Sequence, residues 1–114
     1  MKMTNSASSI SASELMQRLH NHEDIMLIDV REPWEHNAYN IGGALIPLHT
    51  IFINIASISR DRKVVIYCEK GIRSQIAIQR LQQRYQYDNL INLMGGLNAW
   101  KREVNAKTSH TQLH

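Results

Sequence analysis

The strand-like segments of this chain are mostly apolar runs without alternation, and this pattern limits its possible folds more than any other feature. Residues 25–28, 44–46, 63–67 and 90–93 show no regular alternation of polar and apolar side chains, and helical patterns separate them. A strand that is apolar on both faces is typical of a parallel sheet covered by helices on both sides. The sequence therefore predicts an α/β fold of three layers, with a mostly parallel central sheet of about five strands and helices on both faces.

Helix start signals support the assignment of the segments between the strands. Ser11 and Glu14 form a capping box, Pro33 suits the first turn of a helix, and Ser74 is a favourable N-cap residue. The predicted helices cover residues 11–20, 33–36, 51–58, 74–85 and 97–104.

The length of 114 residues is that of one domain. We expect this domain to span residues 10–104, because residues 1–9 and 105–114 are polar and aperiodic and are predicted to be flexible termini. The first residues show no apolar signal-peptide core, and no stretch is long enough to span a membrane. The sequence therefore predicts a cytoplasmic protein that does not bind a membrane.

The net charge of +3 raises the question of nucleic-acid binding. The basic residues are scattered, however, and they cluster only locally, at residues 60–63 and 101–102. Small clusters of this kind are usually solvated faces, so nucleic acid is not an expected partner.

Cys68 is the single cysteine of the chain, and it lies where an apolar strand gives way to a glycine-containing loop. The carboxyl ends of parallel strands meet at one edge of a sheet, which is where open α/β sheets bind ligands. Asp29 and the Gly95-Gly96 turn also follow strands, so we expect all three features at that edge. A small apolar residue at a strand end is the alternative interpretation of Cys68. It is less favoured, because the following residues are placed where a cradle for an anion would need them.

The lone thiol also excludes several kinds of site. It allows neither an internal disulfide nor a cysteine-rich metal site, and no second thiol in the chain could resolve an intermediate formed on it. None of the six histidines has a convincing metal-ligand spacing to Cys68. No metal or cofactor is therefore expected, and a reducing cytoplasm fits an accessible thiol.

Three segments together resemble the rhodanese (sulfurtransferase) domain family. Residues 28–32 (Ile-Asp-Val-Arg-Glu) are similar to its first signature, residues 68–74 to its active-site loop C-x-x-G-x-R-S, and residues 95–100 to its closing G-G-x-x-x-W segment. The three occur in order, and the resemblance extends over nearly the whole chain. It implies a rhodanese-like fold and the transfer of a sulfane sulfur atom.

The resemblance implies that the Cys68 thiolate attacks the outer sulfur of a donor such as thiosulfate, so that sulfite leaves and a Cys68 persulfide remains. Cyanide or a thiol then accepts the sulfur, and the donor or the acceptor can also be a protein. Nearby loop amides and cations would favour the thiolate form of the cysteine. The implied active-site loop comprises Glu69, Lys70, Gly71, Ile72, Arg73 and Ser74.

The roles of the supporting residues stay open at this point. Arg73 opposes the helix dipole, so loop bracing or anion binding is favoured over a plain surface charge. Lys70 is equally compatible with attraction of substrate and with solvation. Asp29 is expected to brace the loop, through Arg73 or backbone amides, or to pair with Arg31 alone. Trp100 is expected to belong to the core.

One segment departs from the family pattern. The family commonly has G-H-I-P-G-A before the strand at residues 44–46, where this chain has Tyr39, Asn40, Ile41, Gly42 and then Gly43-Ala44. Asn40 tolerates left-handed backbone geometry and Tyr39 does so poorly. We therefore expect this loop to follow a different path.

Two rival functions come from other classes. Cysteine phosphatases and arsenate reductases use a C-x-x-x-x-x-R loop, with five intervening residues, but four residues separate Cys68 from Arg73. The shorter ring suits one sulfur atom better than a phosphoryl group. A regulatory docking module would not need the cysteine, which is present. A sulfur relay between proteins is left open beside a thiosulfate enzyme.

Overall fold

In the part of the chain that the structure describes, the sheet is parallel throughout and has five strands. A computed structural model describes residues 8–112, and the side chains of residues 8–107. The strands lie in the order β1-β5-β4-β2-β3, and every neighbouring pair is parallel. They are β1 (Ser8–Ile10), β2 (Ile25–Asp29), β3 (Ala44–Leu45), β4 (Lys63–Tyr67) and β5 (Leu90–Leu93). The predicted α/β architecture is confirmed.

Helices cover both faces of this sheet. They are α1 (Ala12–His20), α2 (Pro33–Ala38), α3 (Ile72–Tyr85) and α4 (Gly96–Gln112), with short 3₁₀ helices at Leu48–Thr50 and Ile55–Ser57. Within residues 8–112, no helix is both long and apolar enough to cross a membrane.

Strand β4 contributes to two separate apolar cores, which explains its uninterrupted apolar sequence. Val64 and Ile66 pack with α3 on one face of the sheet, and Val65 and Tyr67 pack with α1 and α4 on the other. All four side chains are fully buried, and each burial contributes roughly 1.5–3 kcal/mol. The two cores fix β4 in the centre of the sheet and so fix the position of the residue that follows it, Cys68.

The sequence prediction missed one strand and wrongly assigned one helix. Strand β1 was not predicted, because it has only three residues and its single buried side chain is Ile10. The helix predicted over residues 51–58 is wrong: turns and the 3₁₀ helix Ile55–Ser57 occupy this segment. The side chains of Thr50 and Asn54 donate to the carbonyl oxygens of Pro47 and Thr50, and such local bonds compete with regular helix formation.

The C-terminal helix is longer than predicted. It was expected to end near residue 104, but α4 continues to Gln112. Residues 105–112 contain neither glycine nor proline, so no residue there interrupts the helix, and Glu103 pairs with Lys107 one turn later at 3.9 Å. Of the termini expected to be flexible, residues 8–9 pair with β5 as part of β1 and residues 105–112 continue α4, while residues 1–7 and 113–114 lie outside the described residues.

The loop that departs from the family pattern places its unusual backbone angles on glycines. Tyr39 is extended, with φ of −167°, while Gly42 and Gly43 have φ of +100° and +88°. The hydroxyl of Tyr67 fastens this loop to β4, since it donates to the carbonyl of Gly42 at 2.9 Å and accepts from the amide of Ile41 at 3.3 Å. Neither Tyr39 nor Asn40 needs left-handed geometry.

Replacing Gly43 with alanine should destabilise the fold more than replacing its neighbour Gly42. Positive φ strains both alanines by roughly 1–2 kcal/mol. A Cβ at Gly43 would also overlap the backbone of Leu27 in β2, whereas a Cβ at Gly42 meets no described atom within 4 Å. Urea unfolding should show a loss of about 3 kcal/mol or more for Gly43→Ala and of about 1–2 kcal/mol for Gly42→Ala. Equal losses would contradict this explanation.

Candidate active site

Cys68 follows β4 directly, and its sulfur is surrounded by hydrogen-bond donors from the start of α3. The backbone amides of Gly71 and Ser74 donate to Sγ at 3.2 and 3.3 Å, and the hydroxyl of Ser74 lies 3.4 Å from it. The first amides of a helix have no carbonyl partner within the helix. The sulfur occupies the position that an N-cap side chain would take, and the residue Cys68 as a whole is 1% exposed.

The prediction that Ser74 caps α3 is wrong, because the helix begins two residues earlier. Gly71 is the N-cap residue, and its φ of +92° lets the chain turn sharply after Cys68. Ser74 lies inside the first helical turn and is completely buried. Its side chain is therefore directed at the sulfur rather than at the helix end.

Asn92 is a buried polar residue that the sequence interpretation missed. It lies on β5 with 3% of its surface exposed, and its side-chain oxygen accepts a hydrogen bond of 2.5 Å from the hydroxyl of Ser74. The available signal was an asparagine within the apolar run at residues 90–93. Asn92 fixes the hydroxyl of Ser74 next to Cys68.

The Gly95-Gly96 turn brings the start of α4 against the other side of the active-site loop. The amides of Leu97 and Asn98 donate to the carbonyl oxygens of Cys68 and Glu69 at 2.9 and 3.0 Å. A side chain at Gly96 would collide with the same two carbonyls. The turn therefore lies at the edge of the sheet where it was expected, and Trp100 packs, partly buried, against the core below it.

Asp29 and Arg31 form a buried ion pair that reaches the loop through Glu69. The guanidinium of Arg31 donates to both carboxylate oxygens of Asp29, at 3.0 and 2.9 Å, and both residues are at most 2% exposed. A further nitrogen of Arg31 lies 3.4 Å from Glu69. His36 of α2 contacts Asp29 at 2.8 Å. Asp29 thus pairs with Arg31, not with Arg73, and Arg31 rather than Asp29 contacts the loop.

Arg73 is held by a residue that sequence reasoning did not identify, Glu35 of α2. The two terminal nitrogens of Arg73 donate to the two oxygens of Glu35 at 2.8 and 2.9 Å. These hydrogen bonds lower the pKa of Glu35 to about 2, although its partial burial opposes that shift. The signal in the sequence was weak: Glu35 is the third residue of α2, where its side chain also accepts from the amide of Glu32.

An open cleft of about 360 Å³ lies at this edge of the sheet. It is lined by Glu35, Cys68, Glu69, Lys70, Ile72 and Arg73. The structure therefore brings the predicted loop residues together around the sulfur. Four of them line the cleft beside Cys68, and the backbone amides of Gly71 and Ser74 donate to the sulfur of Cys68. No group of three or more potential metal ligands occurs in the described part of the chain.

Comparison with known proteins identifies the family. Residues 11–103 match the model of the rhodanese-like domain family. The chain belongs to the rhodanese-like domain family. It is 44% identical over 94 residues to a sulfurtransferase of Allochromatium vinosum, spanning 82% of this chain and 87% of that protein. It is also 34% identical over 100 residues to the probable adenylyltransferase/sulfurtransferase MoeZ of Mycobacterium tuberculosis, spanning 85% of this chain but 25% of MoeZ.

Solved structures agree with this assignment of a rhodanese-like domain. A rhodanese-like domain protein of Staphylococcus aureus superposes with a TM-score of 0.74 at 31% identity, covering 82% of this chain and 90% of that one. A thiosulfate sulfurtransferase of Pseudomonas aeruginosa superposes with a TM-score of 0.76 over 85% of this chain and 19% of that one. At 22% identity the second likeness concerns the fold alone. The resemblance to the rhodanese family drawn from the three sequence segments is confirmed, and the relatives include a protein named as a sulfurtransferase.

The ion pair of Glu35 and Arg73 should make the free energy of unfolding of this rhodanese-like domain depend on pH in the acidic range. The pKa of Glu35 is lowered from 4.5 to about 2 in the folded protein, so its stabilising contribution is complete above pH 4.5 and is lost as the pH falls toward 2. The difference in unfolding free energy between the wild type and Glu35→Gln should therefore shrink from about pH 5.5 to about pH 3 in urea titrations.

Arg73→Ala provides the control for this pH dependence. Because hydrogen bonding to Arg73 is the main cause of the lowered pKa, this variant should also lose stability less steeply with acid than the wild type does. A difference between the wild type and Glu35→Gln that stays constant over the range would contradict the assignment.

Proposed function

We propose that this protein is a sulfurtransferase that moves a sulfane sulfur, from thiosulfate or a protein persulfide, to a thiophilic acceptor through a persulfide on Cys68. The observation that carries the proposal is the sulfur of Cys68 at the end of β4, accepting hydrogen bonds from the amides of Gly71 and Ser74. The family and the sulfurtransferase relative of similar length support it.

The surroundings of Cys68 fit the two anionic states of the proposed reaction, the thiolate and the persulfide anion. A thiolate is the attacking species, and amides directed at the sulfur stabilise negative charge on it. After the thiolate attacks the outer sulfur of thiosulfate, sulfite leaves and the charge moves to the terminal sulfur of the persulfide. The cleft beside Cys68 provides space for that atom and for an acceptor such as cyanide or a thiol.

The chain carries no second cysteine that could attack the persulfide from within. The intermediate therefore waits for an external acceptor, and a reducing compartment such as the cytoplasm would keep the thiol available between cycles. This property also suits a relay, in which the donor or the acceptor is another protein. The relative MoeZ, named as an adenylyltransferase/sulfurtransferase, supports that version of the proposal.

The persulfide should be visible directly as a change in mass. On incubation with thiosulfate, the intact protein should gain one sulfur atom, and cyanide should remove it. Cys68→Ser should gain nothing, while Ser59→Ala, a change in a loop at the opposite end of β4, should behave like the wild type. If Cys68→Ser still gains a sulfur that cyanide removes, the assignment of the carrier residue is wrong.

Hydrolysis of phosphate esters should be absent. Each of the three equatorial oxygens of a transferring phosphoryl group needs donors at about 2.8 Å, and the ring of four residues between Cys68 and Arg73 is one residue shorter than in cysteine phosphatases. Wild-type protein should therefore show no hydrolysis of p-nitrophenyl phosphate above that of Cys68→Ser. Cys68-dependent phosphatase turnover equal to or above the sulfur transfer would overturn the proposed function.

A further inference from the structure

The cleft beside Cys68 carries as much negative as positive charge. Its charged lining residues are two carboxylates, Glu35 and Glu69, and two cations, Lys70 and Arg73, so the formal sum is zero. A site adapted to a dianion such as thiosulfate would be expected to present an excess of positive charge. The ion pairs formed by Glu35, Glu69 and Arg73 explain why this cleft has no excess of positive charge.

Arg73 is neutralised within the wall of the cleft. Both of its terminal nitrogens are bonded to Glu35, whose side chain is 13% exposed. Glu35 also accepts from the amide of Glu32 at 3.0 Å, so bonds from two directions fix its carboxylate. An entering anion would meet a carboxylate beside the guanidinium, and releasing Arg73 would leave Glu35 unpaired.

The second carboxylate of the cleft is paired with cations outside the lining. Glu69 lies 3.4 Å from Arg31 and 3.7 Å from Lys101. Among the described residues, no carboxylate forms an ion pair with Lys70, which leaves this flexible side chain as the cation available to a donor. One such charge is a weak counterpart for two negative charges in a cleft open to water.

We propose that Glu35 determines the specificity for the sulfur donor: by neutralising Arg73 it disfavours the dianion thiosulfate and favours persulfides, R–S–SH, of lower charge. This inference rests on the proposed function.

In the favoured reaction, the Cys68 thiolate attacks the outer sulfur of R–S–SH. A bond forms between the two sulfurs, the S–S bond of the donor breaks, and its electron pair leaves with R–S⁻. The proton stays on the transferred sulfur, so the products are Cys68–S–SH and R–S⁻.

The test compares two probes, cysteine persulfide and thiosulfate, on wild-type protein and variants. The second-order rate constant for Cys68 persulfide formation is measured by rapid alkylation and intact mass. Glu35→Gln should shift the ratio of the two rate constants at least fivefold toward thiosulfate, because it frees the charge of Arg73. Raising the salt concentration should reduce this gain, since a charge attraction is screened. Glu32→Gln is the matched control: it removes a carboxylate from the same helix start but not from the cleft, and should leave the ratio within twofold.

Arg73→Ala tests the same proposal in the opposite direction and keeps it testable if Glu35→Gln fails to fold. It leaves the carboxylate of Glu35 without its partner, so the ratio should shift at least fivefold toward cysteine persulfide. Two outcomes would overturn this inference alone while sulfur transfer still depends on Cys68. In the first, either folded variant leaves the ratio of the two rate constants within twofold of wild type. In the second, both variants shift the ratio in the same direction. If wild-type protein accepts sulfur from neither donor, or accepts it without Cys68, the proposed function fails and the inference fails with it.

Discussion

The backbone amides of Gly71 and Ser74, both directed at the sulfur of Cys68, are the interaction on which the active end of the domain depends. A hydrogen bond to a charged group contributes roughly 1.5–3 kcal/mol, so in the function we propose the two amides would stabilise negative charge on the sulfur during transfer. The geometry needs a strand that ends at residue 67 and a helix that begins at residue 72. In the loop between them, the sulfur itself takes the place of a helix cap.

Three elements hold this loop from different sides. Strand β2 is linked to it by Arg31, which connects buried Asp29 to Glu69. Helix α2 is linked by Glu35, which binds Arg73. The first amides of α4 bind the loop carbonyls from the third side. In the function we propose, these contacts keep the donors around the sulfur in place while its charge moves during transfer, which is the condition for electrostatic stabilisation of a transition state.

The architecture and the place of the thiol were predictable because they depend on local patterns. Apolar runs without alternation predict buried parallel strands, and a cysteine directly after such a run is expected at the edge where open α/β sheets bind ligands. The 3₁₀ segment near residue 55 and strand β1 were not predictable in this way. Local side-chain hydrogen bonds decide the conformation of the 3₁₀ segment. Strand β1 forms by pairing with β5, and in this pairing Ser8 lies opposite Ile91, 83 residues later in the sequence.

The partners of the charged residues could not be read from spacing. Glu35 and Arg73 are 38 residues apart, and Arg31 and Glu69 are equally distant, so their pairing depends on how α2 packs beside the loop. Ser74 was misplaced as a cap because serine favours that position in general, whereas here the turn at Gly71 starts the helix earlier. Its hydroxyl instead links Asn92 to the sulfur. The sequence thus locates the thiol at this edge of the sheet, and the structure identifies the groups that contact its sulfur.

The rate of Cys68 persulfide formation in Ser74→Ala tests most directly whether hydrogen bonds to the sulfur create the nucleophile. Ser74 has one hydroxyl proton, which it donates to Asn92, so the account requires this proton to turn to the sulfur when the thiolate forms. The substitution removes the hydroxyl 3.4 Å from Sγ and leaves Asn92 without its partner, while the backbone and the cysteine are unchanged. The account predicts a rate with thiosulfate at least tenfold below that of wild type, a loss of about 1.4 kcal/mol, at a comparable unfolding midpoint. A folded Ser74→Ala protein that forms the persulfide at the wild-type rate would contradict it.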